Sequence, residues 1–265
     1  MNLLDLEGKK VKELKLPNQF GEEYHPNLIW RSVITIQSNK RQSYGADTEA
    51  GKKASAKLSR RRRDYKGSYG KGMSRVPRKT LWKRGSQFGW VGANAPGTVG
   101  GRKAHPPKAF KILTKRINKK ENRKAIRSAL SAVLNKNLVL KRNHRIPAIY
   151  PLAIENKFET LTKANEVVKV LNNIGLKEEL SRLERKVRAG KGKLRGRKYR
   201  SNVGPLIVVS QKCKLMESAK SLLGIDVVQI KNINTELLAP GTQAGRLTIF
   251  TEAAIEKLHK ENLFN

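Results

Sequence analysis

Acidic residues are scarce in this 265-residue chain, and scarcest in one stretch. Between Glu49 and Glu121 stand 22 Lys and Arg against a single acid, Asp64. Cysteine is almost absent: Cys213 stands alone, which excludes internal disulfides and CxxC metal sites. No apolar run approaches the 18 residues of a membrane span, and no basic amphipathic helix carries an aromatic face for a membrane surface. The opening MNLLDLEGKKV lacks a positive segment followed by an apolar one, so no secretory signal is expected and the compartment reads as cytosolic or nuclear. The four histidines, His25, His105, His144 and His259, have no i, i+4 partner and no HExxH, so each reads as a lone surface or loop residue. No GxSxG elbow is present. The glycine-rich GSYGKG (Gly67 to Gly72) and AGKGK (Ala189 to Lys193) do not match GxxxxGK[ST] and do not join a strand to a helix. No catalytic residue, metal ligand or cofactor is assigned.

What the chain has is positive charge, +36 from 57 basic and 21 acidic residues. Self-repulsion of that size disfavours an isolated compact state, and a polyanionic partner relieves it. The charge concentrates in Ser43 to Lys108, which also holds eleven of the 21 glycines. No window there has the period of two or 3.6 that a strand or helix needs to bury a face, so the stretch reads as a long irregular loop. Disordered segments are poor in aromatics, yet this one carries Tyr65, Tyr69, Trp82, Phe88 and Trp90. Glycines allow close backbone approach to phosphates, Arg offers a fork that fits them, and rings stack on unpaired bases. Pro77, Pro96, Pro106 and Pro107 stiffen the path. Together these describe a finger that orders in folded RNA. A second basic segment, Arg182 to Arg200, holds ten basic residues and one acid, Glu184.

The rest has the periodicity of a folded domain. A hairpin is expected from Leu3 to Leu6 and Val11 to Leu16, ended by Pro17. A helix starting at Pro26 should bury Ile29, Trp30, Val33 and Ile34. Asn118 and Glu121 suggest a capping box before a helix with Ile126, Ala129, Leu130, Val133 and Leu134 inward. The apolar run Ile146 to Ile154 suggests a strand. A helix over 162–174 should turn Ala164, Val167, Val168 and Leu171 inward and end at Gly175. A shorter one should align Leu176, Leu180, Leu183 and Val187. Beyond Pro205, LIVVS reads as a strand covered on both faces. A helix over 212–223, strands at 225–230 and 247–250, and a last helix capped by Thr251 with Ala254, Ile255 and Leu258 inward complete the pattern. Alternating strands and helices imply an α/β class: one globular domain (1–42 and 109–265) with a mainly parallel sheet flanked by helices, interrupted by a long irregular basic extension (43–108).

Five passages then carry a family resemblance: GKGMSRVPR, NAPGTVGGRKAHPPK, AIRSALSA, VRAGKGKLRGRKYR and NTELLAPGTQAGRLTIFTEAAIEKL. In this order and over nearly the whole length, the chain resembles the large-subunit ribosomal protein L-four family. With no extension after the last helix it is similar to the archaeal type. The run RRRRDYKGSYGKG is more basic than the family pattern. The resemblance implies a non-enzymatic, cytoplasmic constituent of the large ribosomal subunit that binds large-subunit ribosomal RNA and supports its assembly. The globular domain would lie on the subunit's outer surface. The extension would reach the nascent-peptide exit tunnel, where its tip and a hairpin of an L-twenty-two family protein form the constriction. The tip would fall near 71–84, with Lys71, Arg75, Val76, Pro77 and Arg78 lining the tunnel past the nascent peptide. The inbound stem would be 43–63 and the outbound stem 88–108. Read this way, the RNA-binding residues on the extension are Arg60, Arg61, Arg62, Arg63, Lys66, Lys71, Arg75, Arg78, Lys79, Trp82, Lys83, Arg84 and Trp90. Arg102, Lys103, His105 and Lys108 would act where it rejoins the domain. Arg195, Arg197, Lys198 and Arg200 would form a second contact on the domain. Leu263, Phe264 or the last helix would touch neighbouring ribosomal proteins. The competing reading is a ribosome-independent RNA-binding or RNA-modifying enzyme on a doubly wound sheet, which needs a cofactor-cradling loop after a strand.

Overall fold

A computed structural model describes every residue except Ser86. In chain order the elements are β1 (Asn2–Leu4), β2 (Lys10–Glu13), α1 (Pro26–Lys40), β3 (Arg78–Arg84), β4 (Gln87–Gly92), α2 (Lys119–Leu134), α3 (Lys136–Lys141) and β5 (Leu152–Ile154). Then follow α4 (Ala164–Asn173), α5 (Lys177–Ser181), β6 (Lys186–Val187), β7 (Tyr199–Arg200), β8 (Leu206–Val209) and α6 (Leu215–Ser218). The last are β9 (Asp226–Gln229), α7 (Thr235–Leu238), β10 (Thr248–Thr251) and α8 (Glu252–Lys260). Two compact units result, one of residues 1–40 and 114–265, the other of residues 41–113.

The first unit is built on a six-stranded sheet of order β2-β1-β5-β10-β8-β9. Only the β1–β2 edge is antiparallel; the other pairings are parallel. Alternate residues serve opposite faces. Leu3, Ala153, Leu206, Val208 and Phe250 pack with Ile29 and Val33 of α1, Ile126, Ala129, Leu130 and Val133 of α2, and Ile255 and Leu258 of α8. Leu4, Leu152, Ile154, Ile207, Val209 and Ile249 pack with Val167, Val170 and Leu171 of α4, and with Leu176 and Leu215. Burial on both sides is why LIVV is a continuous apolar run rather than an alternating one.

Several local expectations are corrected, mostly because a tertiary partner outbid a local one. On α1 the inward stripe is Ile29, Ser32, Val33 and Thr35, while Trp30 is 54 % exposed and Ile34 half-buried. Ser32 is tolerated there because its hydroxyl donates to Asn122 Oδ1 at 2.7 Å and pairs with Thr235. Asn118 precedes α2 without a side-chain cap, and Glu121 lies 3.5 Å from Arg31 instead of reaching back. Thr251 does not cap α8: its hydroxyl donates to Glu159 at 2.6 Å, and Asn156 Oδ1 accepts from the Ala253 amide at 2.7 Å in its place. Only the last three residues of the 146–154 run are strand. On α4, Val167 and Leu171 are buried with Val170, while Ala164 and Val168 are half-buried. Gly175, at φ +91°, ends α4 as expected: its amide donates to Asn172 and that of Leu176 to Leu171, the paired bonds of a left-handed cap. Val187 leaves the α5 face and lies exposed in β6. The 212–223 helix is one α-turn followed by a 3-10 turn.

His144 lies in a loop, as expected, but it is neither alone nor on the surface. It is 3 % exposed, with Nδ1 2.7 Å from Glu179 Oε1. Glu179 also accepts from the Arg145 amide and from Arg182, both at 2.9 Å through Oε2.

Candidate nucleic-acid interface

Residues 41–113 contain an element that the sequence pattern did not reveal. β3 and β4 form an antiparallel hairpin registered from Arg78↔Gly92 to Arg84↔Gln87. The missed signal is Gly85 directly after β3, a turn residue at φ +55° that favours a short hairpin connection. It lay hidden because neither strand buries a face: among the described residues of this unit only Gly67, Ser68 and Ala93 are buried. Without an apolar face there is no alternation to read.

Aromatic and cationic side chains take the place of a core. Tyr65 meets Phe88 edge-on at 5.5 Å, and Phe88 lies 5.1 Å from Trp90. Lys66 and Lys83 sit over both Tyr65 and Phe88, between 5.3 and 6.0 Å from the ring centres. Lys71 lies 5.3 Å over Trp90, and Arg75 4.9 Å over Tyr69. Exposed contacts of this kind contribute about 0.5–1 kcal/mol each, so they bias the shape without fixing it. Trp82, 55 % exposed, lies across Gly89 of β4, where an added Cβ would fall 2.1 Å from Trp82 Nε1.

Arg78 holds the loop before the hairpin, donating to Ser68 Oγ at 3.3 Å, Val76 O at 3.3 Å and Ser74 Oγ at 3.2 Å. Val76 and Pro77 are half-buried beside it, whereas Lys71 and Arg75 are exposed. Arg60, Arg61, Arg62 and Arg63 lie exposed on a turn closed by Asp64, which accepts from the Ser59 hydroxyl and the Tyr65 amide. Those two hydrogen bonds, Ser59 first, hold the Asp64 carboxyl below its ordinary range. The one acid of the stretch thus stays charged and serves the turn. Lys79 is half-buried opposite Val91, and Arg84 is exposed beside the turn.

The arms meet where the Ala46 amide donates to Pro107 O at 2.9 Å. Arg102 and Lys103 line a cleft with residues 45–52. Lys103, His105 and Lys108 line a second with Tyr44 and Phe110, residues 56 % and 80 % exposed.

The second basic segment is also a hairpin, β6 against β7, with the Arg188 amide donating to Lys198 O at 2.9 Å. Arg197 and Arg200 line a cleft of ≈ 710 Å³ with Lys186 and Arg188, while Arg195 sits on a 3-10 turn. Arg185 and Lys198 flank the Tyr199 ring at 5.2 and 5.4 Å. Lys186, Arg188 and Tyr199 were not singled out in the sequence, though the charge run contained them. Arg182 anchors this hairpin, donating to Val203 O at 2.8 Å and accepting at its own carbonyl from Asn202 at 2.9 Å.

Two unit surfaces rich in cations and rings, with almost no acid, suit a polyanion with stackable bases. Among the described residues no cluster of three or more His, Cys, Asp or Glu could hold a metal ion. No helix is long and apolar enough to cross a membrane. Comparison with known proteins gives the family. The model of the ribosomal protein L4/L1 family matches residues 14–261. Large ribosomal subunit protein uL4 of Nanoarchaeum equitans is 45 % identical over 264 residues, 99 % of this chain and 98 % of that protein. The proteins of the same name from Methanosphaera stadtmanae and Methanoregula boonei are 43 % and 44 % identical, covering 97 % and 96 % of this chain and 95 % and 96 % of theirs. With a match of this extent from both directions, the chain belongs to the ribosomal protein L4/L1 family.

Proposed function

We propose that this chain is built into the large ribosomal subunit, where residues 43–108 thread through ribosomal RNA and their tip lines the nascent-peptide exit tunnel. Membership of a ribosomal protein family makes it a structural, non-enzymatic constituent of the ribosome. The finer reading rests on one observation. A unit of 73 residues, 41–113, buries only Gly67, Ser68 and Ala93 among its described residues, too little to hold its own shape in water. An RNA environment supplies what is lacking, since converging phosphates neutralise Lys and Arg and unpaired bases cover exposed rings. The Arg60 to Arg63 turn, Lys79, Trp82, Lys83 and Arg84 then face RNA, with Arg102, Lys103, His105 and Lys108 at the base. The cleft of Arg197 and Arg200, with Arg195 and Lys198, forms the second RNA contact. Lys71, Arg75, Val76, Pro77 and Arg78 form the tunnel tip, beside an L-twenty-two family protein and the passing nascent peptide, in the cytoplasm.

A photoreactive residue at Arg75, in subunits carrying a stalled nascent chain, tests the tip. A crosslink to the nascent chain is expected. Crosslinks only to RNA would move the tip away from the tunnel while leaving RNA binding intact.

A further inference from the structure

One cleft of the first unit has no part in that reading. It lies between the start of α1, the end of α3 and the 242–244 loop, with Tyr24, Asn27, Trp30, Lys141, Arg142 and Gln243 in its wall. Two rings stand open there: Trp30 is 54 % exposed and Tyr24 41 %. The wall contains no acid, and neither does the first turn of α1, so the positive end of a 15-residue helix opens unopposed.

Arg142 adds an independent sign that the cleft suits an anion. Its Nη1 donates to Pro240 O at 2.9 Å and to Gln243 O, while its Nε is buried without a partner. Among the described residues no carboxylate pairs with it. The neighbouring arginines are both paired, Arg182 with Glu179 and Arg246 with Asp226, at 2.5 Å each. Burial first, then repulsion from Arg246 and Arg182, pushes the Arg142 guanidinium down to about 10. The adjoining loop is strained as well, with the β-branched Thr242 at φ +73°. Such strain persists where the surroundings hold a particular shape.

We propose that this cleft binds one unpaired RNA nucleotide, its base stacked on Trp30 and its phosphate held by Arg142 and the start of α1. An acidic peptide would satisfy the charge but leave the indole face open, whereas a nucleotide uses both. All residues of the site belong to the first unit. The choice of RNA as ligand rests on the RNA-binding reading above.

The test uses the full-length chain with Trp82→Phe and Trp90→Phe, leaving Trp30 as the one indole. A uridine tetranucleotide titrated in at fixed salt should quench Trp30 saturably. Arg142→Gln should weaken that binding about tenfold, and Arg142→Lys less, because stacking and charge survive. Lys141→Gln, at an exposed position, gives a second reading should Arg142→Gln disturb folding, which circular dichroism reports. Inorganic phosphate should compete. Absent quenching, quenching unchanged by both Arg142→Gln and Lys141→Gln, or tighter quenching by a tetraglutamate peptide would each overturn the proposal. Incorporation of Arg142→Gln and Lys141→Gln into large subunits, each made in the chain that keeps Trp82 and Trp90, separates failure of this site from failure of the ribosomal reading.

Discussion

His144 is neutral in the folded chain, and its surroundings make that costly to change. Burial is the main cause of its lowered pKa, and the charges of Arg182 and Arg142 add to it, although Glu179 pulls the other way. The Nδ1–H tautomer donates to Glu179, which leaves Arg182 Nη2, at 3.2 Å, as a close neighbour rather than a donor to the same nitrogen. Glu179 is raised by burial, but hydrogen bonds from His144, Arg182 and the Arg145 amide outweigh that and hold it below the usual carboxylate range. Both groups therefore bind fewer protons folded than unfolded. Stability contributed by His144 is present above pH 6.5, its ordinary value, and fades as pH falls below it. That of Glu179 is present above 4.5 and lost further into acid. Urea unfolding between pH 7.5 and 5 should show the unfolding free energy falling with acidity, by at most roughly 1.4 kcal/mol per pH unit for the one imidazole proton. His144→Gln should flatten that slope, and an unchanged slope would refute the assignment. The sequence did not show this node, since its partners stand 35 and 38 positions from His144. Ser32 with Thr235 and Glu159 with Thr251 escaped notice for the same reason. A side-chain oxygen takes whichever donor the fold delivers, and that delivery is not written locally.

Strands and helices were legible where burial imposed a period. LIVV announced β8 because both its faces meet helices, and Ile126, Ala129, Leu130 and Val133 announced α2 because one of its faces does. The hairpin of β3 and β4 obeys neither rule. Its cross-strand order comes from Trp82 lying on Gly89 and from Phe88 between Tyr65 and Trp90, contacts that need particular residues rather than a pattern. Gly89→Val tests this directly. A side chain at 89 occupies the space of the Trp82 indole, so the ring must leave the strand, at a cost of roughly 1 kcal/mol of cross-strand packing. The expected result is a red-shifted Trp82 emission and faster tryptic cutting at Lys83 and Arg84, with the far-ultraviolet dichroism of the first unit unchanged. Equal protease resistance would mean that the Trp82–Gly89 contact does not hold the hairpin.

At the scale of the whole chain, stability and charge are divided between the two units. Residues 1–40 and 114–265 bury both faces of a sheet, whereas residues 41–113 bury almost nothing and carry the denser charge, 19 basic residues against three acids. On the proposed reading, RNA supplies the cohesion of the second unit, and counterions released from phosphates offset the cost of assembling +36. That makes salt the discriminating variable. Each phosphate contact contributes about 0.7 to 0.9 to the slope of log affinity against log salt, depending on whether the RNA is single-stranded or helical. Arg197→Gln with Arg200→Gln should therefore lower the slope by roughly 1.5 if both hold phosphates. Deleting 67–92 removes Lys79, Lys83 and Arg84 together with the tip cations Lys71, Arg75 and Arg78, and should lower it by roughly 2 to 3 if only the first three hold phosphates and by roughly 4 to 5 if all six do, while the dichroism of the first unit persists. The two losses should add, because the two hairpins belong to different units. A deletion that unfolded the first unit would refute the division of labour. A slope left intact would show that the cations of 67–92 stay clear of phosphates and serve only the aromatic contacts within their own unit.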